Sequence, residues 1–218
     1  VGKFIVFEGI TGSGKTEMVT RTAEYLESLG EQTVITFEPG LGLLEASPEQ
    51  MDRRNLIPVT KAMLLIADRL EHVNNEIDPA LHEGLSVVCE RYVDCTEAYQ
   101  GYGEGLTDFL FHMDKINFGF REPNIKFLLD VDPAIGFHRK PRRVHSFDEM
   151  DPSDQSGLGF QSRVRKGYLQ IFNTKKYNSN NHSFIISTTR LRIDEVWSEV
   201  KKNLDYALVL QNITKGLA

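Results

Sequence analysis

Eight residues near the start of the chain, Gly9-Ile10-Thr11-Gly12-Ser13-Gly14-Lys15-Thr16, limit its fold more than any other segment. They match the G-x-x-x-x-G-K-[ST] pattern in full, between the apolar run Phe4 to Phe7 and an amphipathic stretch that opens at Lys15. The glycines let backbone N–H groups curl around a β-phosphate, and the positive end of the following helix points at the same place. Lys15 would bridge the β- and γ-phosphates and Thr16 would offer a hydroxyl to Mg²⁺, so Gly9, Ile10, Thr11, Gly12, Ser13, Gly14, Lys15 and Thr16 are the candidate ATP-binding residues. Such a cradle forms only as strand, loop and helix, which commits the chain to an α/β sheet. By itself it leaves GTPases, ATPases and kinases open.

The rest of the chain repeats the alternation. Apolar runs at Phe4 to Phe7, Thr33 to Phe37, Leu85 to Cys89, Ile125 to Val131 and Phe184 to Ile186 read as buried strands. Helical periodicity covers Lys15 to Leu29, Lys61 to Ile77 (stopped ahead of Pro79), Leu106 to Phe118, Phe160 to Tyr177 and Ile193 to Val209. The expectation is one α/β domain over residues 1–218, three layers deep, with a central parallel sheet of about five strands flanked by helices. Arg139 to Gly159 is polar and helix-poor and reads as a lid, and Gln211 to Ala218 as a frayed tail.

Composition removes other classes. A net charge of -6 argues against an extended nucleic-acid footprint, so phosphate contacts must be local. No apolar stretch is long enough to span a bilayer, and the opening Val1-Gly2-Lys3-Phe4 carries no signal-peptide pattern. The two cysteines, Cys89 and Cys95, form neither a disulfide framework nor a metal pattern, and the expected location is a reducing cytoplasm.

In a parallel sheet ligands collect beyond the carboxyl ends of the strands. There stand Glu8, then Glu38-Pro39-Gly40, then Glu90-Arg91-Tyr92. Glu90 can orient Mg²⁺ and Arg91 can grip an acceptor phosphate with its planar fork; a surface ion pair is the plainer reading. Leu65 and Arg69 share one helix face, where one could cover a base and the other bond its edge, although a leucine there is by default core. Arg139-Lys140-Pro141-Arg142-Arg143 is either solvated surface or the arginine supply of a closing lid, with Arg163 and Arg165 as neighbours in sequence. The six histidines show no metal-ligand spacing.

Taken in order, these segments resemble the thymidylate kinase family of P-loop nucleoside monophosphate kinases. Phe7-Glu8-Gly9, Glu38-Pro39-Gly40, Ala67-Asp68-Arg69-Leu70-Glu71-His72-Val73, Glu90-Arg91-Tyr92 with Ala98-Tyr99-Gln100-Gly101, Leu129-Asp130-Val131-Asp132-Pro133 and Arg163 to Leu169 carry the likeness. It implies a P-loop kinase fold and Mg-dependent transfer of the γ-phosphoryl of ATP to dTMP or a related deoxypyrimidine monophosphate, for dTTP supply and DNA synthesis. It also implies a homodimer packed through helices such as Lys61 to Ile77. Arg69 and Gln100 would bond the thymine with Thr96 at its edge. Tyr99 and Leu65 would lie on the substrate side, Arg91 would hold the monophosphate, and Glu38 would lie near it and the metal, which Thr16 and Glu90 bind. Because no arginine stands in the variable P-loop positions, the lid would supply the catalytic arginine from Arg139, Arg142 or Arg143.

Four positions depart from the family's usual residues. Leu65 stands for an aromatic ring, Thr11 for an acid, Glu90 for Asp, and Phe37 for an arginine that Arg53 or Arg54 would have to replace. The alternative reading is a deoxynucleoside kinase, in which Glu38 would take the proton of a sugar 5′-hydroxyl. A monophosphate acceptor needs no such base, since its second pKa of about 6 leaves it largely dianionic at neutral pH.

Overall fold

A computed structural model of the chain describes residues 2–40, 56–113, 119–139, 157–174 and 182–216. Five strands, β1 (Phe4–Glu8), β2 (Thr33–Phe37), β3 (Ser86–Glu90), β4 (Ile125–Asp130) and β5 (His182–Ser187), form one sheet in the order β2-β3-β1-β4-β5. Every neighbouring pair is parallel. The three inner strands are apolar on both faces because helices cover both sides.

The period of two in β1 sorts its side chains between two cores. Ile5 and Phe7 pack with Met18, Val19 and Leu26 of α1 (Lys15–Ser28) and with Val196, Val200 and Leu204 of α8 (Ile193–Gly216). Phe4 and Val6 face the other way, onto Val73, Ile77, Ala80 and Tyr92. A third cluster joins Leu128 and Val131 to Phe160, Val164 and Tyr168 of α7 (Gly157–Thr174). The result is the expected three-layer arrangement.

Several boundaries differ from the periodicity, each for a physical reason. Helix α2 (Pro58–His72) begins three residues early, with Pro58 in the first turn, where a missing N–H costs nothing. It does not stop ahead of Pro79. A π-helical turn, Val73–Ile77, leads directly into α3 (Asp78–His82), and the Asp78 N–H bonds the Val73 carbonyl five residues back. The widened turn lets the chain carry a proline without breaking. A second π-helical stretch, Glu97–Gly103, follows α4 (Val93–Thr96) and holds the Ala-Tyr-Gln-Gly segment. Thr107–Met113 forms α5 and Pro133–Arg139 forms α6. Arg139 and Gly157–Gly159 are thus helical ends, and the remainder of the expected lid, 140–156, lies outside the described residues. Helix α8 continues to Gly216, past Val209, because no proline or glycine interrupts 210–215.

Candidate active site

The loop between β1 and α1 takes the shape its glycines permit. Gly12 has φ 73, and a Cβ there would lie 2.1 Å from the Gly136 carbonyl oxygen of α6, so both the backbone and the close packing require glycine. Lys15 is 4% exposed, and its Nζ donates to the Ile10 carbonyl at 3.2 Å. β1 and β3 run in register, Phe7 opposite Glu90, so the next residues emerge level with one another. Glu90 thereby reaches the loop: Thr16 Oγ1 donates to Glu90 Oε2 at 2.8 Å, and Lys15 Nζ lies 3.9 Å from Glu90 Oε1.

Beside this loop, Glu38, Pro39, Leu65, Arg69, Arg91, Cys95, Thr96 and Gln100 line one pocket. Residues from the ends of β2 and β3, from α2, from α4 and from the second π-helical stretch therefore meet there. Arg69, 3% exposed, donates through Nε to Glu38 Oε2 at 2.7 Å and through Nη2 to the Tyr92 carbonyl at 3.1 Å and Thr96 Oγ1 at 2.9 Å. Burial opposes its charge, but the Glu38 carboxylate outweighs that and drives the guanidinium pKa up. His72, one turn further along α2, sits 3.4 Å from Glu38 Oε1 and 2.7 Å from Thr36 Oγ1. The Oε1 of Gln100 is buried and has no hydrogen-bond partner among the described residues, which leaves an acceptor for a ligand N–H.

Arg91 has φ 69 and is the one non-glycine residue with positive φ among those described. Its N–H bonds the Phe7 carbonyl at 2.9 Å, its Nη1 donates to Cys95 Sγ at 3.3 Å, and its guanidinium lies 5.2 Å from the centre of the Tyr99 ring. Tyr99, 1% exposed, is not a lining residue; it supports Arg91 from beneath and packs on Phe160 and Tyr168. Burial pushes the Cys95 thiol up, so it stays protonated.

The basic residues of the expected lid divide. Arg139 donates to the carbonyls of Thr188 and Thr189, at 2.9 and 3.2 Å, in the turn after β5. Arg163 bonds the Gly103 carbonyl, and Arg165 forms a two-pronged pair with Asp130 at 2.6 and 2.8 Å. Arg142 and Arg143 lie outside the described residues, as do Arg53 and Arg54.

Two groups that the sequence placed near the site received no role from it. His72 drew no role because its partners are distant in the chain. Glu8 is wholly buried, accepting from the Tyr92 N–H on Oε1 and from the Tyr168 O–H on Oε2, each at 2.8 Å. Burial, then the nearby Asp94 carboxylate, pushes its pKa up to about 8. A carboxyl closing a buried strand was the available signal. Because the folded pKa lies above the unfolded one, Glu8 contributes stability that is complete below about pH 4.5 and is lost as pH rises through about 8. Glu8→Gln removes this dependence. Urea midpoints measured from about pH 5 to about pH 9 should fall more steeply for the wild type than for the variant. Parallel curves would mean that Glu8 titrates normally.

A family model described as thymidylate kinase matches residues 7–200 of the chain. A thymidylate kinase of Nostoc sp. is 39% identical over 176 residues, covering 78% of this chain and 82% of the relative. One from Aster yellows witches'-broom phytoplasma is 34% identical over 217 residues, covering 92% and 96%. The crystal structure of thymidylate kinase from Ehrlichia chaffeensis superposes with a TM-score of 0.67 at 30% identity, over 93% of this chain and 98% of that one. With a family model matching residues 7–200, relatives above 30% identity covered over most of their length and a solved structure at a TM-score of 0.67, the chain belongs to the thymidylate kinase family.

Proposed function

We propose that this enzyme transfers the γ-phosphoryl group of ATP to dTMP. The observation that carries the reading is the convergence of Glu38, Leu65, Arg69, Arg91, Thr96 and Gln100 on one pocket at the strand ends that hold the phosphate loop. Gly9 to Thr16 hold the donor. Arg91 grips the acceptor phosphate, Leu65 covers the base, and Gln100 Oε1 accepts from its ring N–H while Arg69 and Thr96 stand at its edge. The acceptor arrives as a dianion, so the residues need to align two polyanions, offset their charge and keep water out.

Thr16 and Glu90 present hard oxygen donors 2.8 Å apart beside Lys15, a pairing that suits Mg²⁺. No group of three His, Cys, Asp or Glu side chains able to hold a metal occurs among the described residues, and Mg²⁺ carried largely by substrate phosphates and water needs none. Held there by Thr16 and Glu90, Mg²⁺ would supply positive charge to offset that of the donor phosphates. Residues 1–218 act as one domain, and the lid between α6 and α7 supplies the catalytic arginine from Arg142 or Arg143, because Arg139 is held by the Thr188 and Thr189 carbonyls. Met63 and Leu70, seven apart on α2 and 45% and 37% exposed, support a homodimer through that helix. No helix among the described residues is long and apolar enough to cross a membrane, and the two free cysteines suit a reducing cytoplasm.

The test offers ATP with thymidine and with a panel of monophosphates. dTDP should form from dTMP, thymidine should remain unphosphorylated and purine monophosphates should be poor acceptors. The 5-methyl in an apolar pocket should favour dTMP over dUMP by about 10- to 200-fold. Phosphorylation of thymidine in place of dTMP would sink the reading.

A further inference from the structure

We propose that Glu8 is a positioning residue: its carboxyl fixes the Arg91–Tyr92 peptide, and through it the Arg91 guanidinium, relative to the phosphate loop. The inference rests on Arg91 serving as the acceptor grip. Glu8 directly precedes Gly9, so the residue that opens the donor cradle also holds the Tyr92 N–H at 2.8 Å. Its second oxygen is held by the Tyr168 O–H of α7, also at 2.8 Å, so the carboxyl cannot swing.

The held peptide is one that needs holding. Arg91 occupies left-handed backbone, which a side chain of its size adopts only where the surroundings over-determine it. Three bonds supply that constraint. The Phe7 carbonyl takes the Arg91 N–H at 2.9 Å, Glu8 takes the Tyr92 N–H, and Arg69 donates to the Tyr92 carbonyl at 3.1 Å. Arg69 in turn pairs with Glu38, so an unbroken chain of hydrogen bonds runs from Glu8 through Tyr92 and Arg69 to Glu38. It spans the distance between the donor loop and the acceptor pocket. Without Glu8, the Tyr92 N–H lies in a dry interior with no acceptor, and the turn that aims Arg91 is free to relax. In-line transfer is sensitive to such displacements, since a shift of about 1 Å at a distance from the reacting atoms can cost about a hundredfold in rate.

The packing of Glu8 predicts a specific division of effects. Its carboxyl touches the acceptor side through Tyr92, whereas Lys15 and Thr16 are held by Ile10 and Glu90. Glu8→Ala should therefore lower kcat/KM for dTMP by about tenfold to a hundredfold and leave the Kd of a non-hydrolysable ATP analogue within about threefold of wild type. Glu8→Gln keeps an acceptor for Tyr92 and a polar group for Tyr168, and should restore dTMP kinetics to within about threefold. If Glu8→Ala proves insoluble, Glu8→Asp is measured instead, because one methylene fewer withdraws the carboxyl from Tyr92; the same selective loss for dTMP is expected. Equal losses for both substrates, no loss for dTMP, or failure of Glu8→Gln to restore activity overturns the proposal. A failure of the dTMP kinase reading itself would show in the wild type, which would then make no dTDP.

Discussion

Lys15→Ala should lower kcat by about 10²- to 10³-fold while the fold survives. The Lys15 ammonium is held in place before any substrate arrives, 3.2 Å from the Ile10 carbonyl and 3.9 Å from Glu90. It therefore needs no reorganisation as charge shifts on the transferring phosphoryl, and removal of one such preorganised donor typically costs 10²–10³ in rate. Its aliphatic stem is buried, but the loop around it is set by glycine backbone and by Gly136 rather than by the lysine. Circular dichroism should remain that of the wild type while steady-state turnover collapses. A folded variant with kcat within about threefold of wild type would remove Lys15 from the chemistry.

Arg91→Ala should act on the other substrate. On its proposed role as the acceptor grip, the change removes a charge-assisted contact to phosphate worth about 1.5–3 kcal/mol, so the dTMP Kd should rise about 10- to 150-fold with ATP affinity near normal. The backbone adds a control. At φ 69 alanine keeps the strain of left-handed backbone and glycine releases it, by about 1 kcal/mol. Arg91→Gly should thus melt higher than Arg91→Ala yet bind dTMP equally badly. If the two variants bind dTMP differently, backbone placement rather than the guanidinium dominates the site. Near-normal dTMP binding in either would place the phosphate grip elsewhere.

The phosphate loop and the five-stranded parallel sheet were legible in the sequence because each depends on a few neighbouring residues. Glycines at fixed offsets, a lysine at the start of a helix and apolar runs of strand length are local patterns, and chain geometry leaves them little choice. The substrate pocket was legible only in part. Glu38 and Arg91 follow the rule that ligands meet strand ends and Arg69 follows from the helix face it shares with Leu65, whereas the support of Arg91 by Tyr99 depends on how the second π-helical stretch packs.

Other features have no local signature. Pro79 ordinarily ends a helix, and only the π-helical turn Val73–Ile77 carries the chain past it. Arg139, read as a lid residue, binds carbonyls in the turn after β5, which lies 49 residues further along the chain. The donors to Glu8 come from 84 and 160 residues away. Composition and spacing told this chain that it would wrap backbone around a triphosphate on a parallel sheet. Which buried carboxyl holds which peptide was settled by strand register and by the crossing of α7 over the sheet, since hydrogen bonds are short and directional and their partners exist only once distant segments have packed.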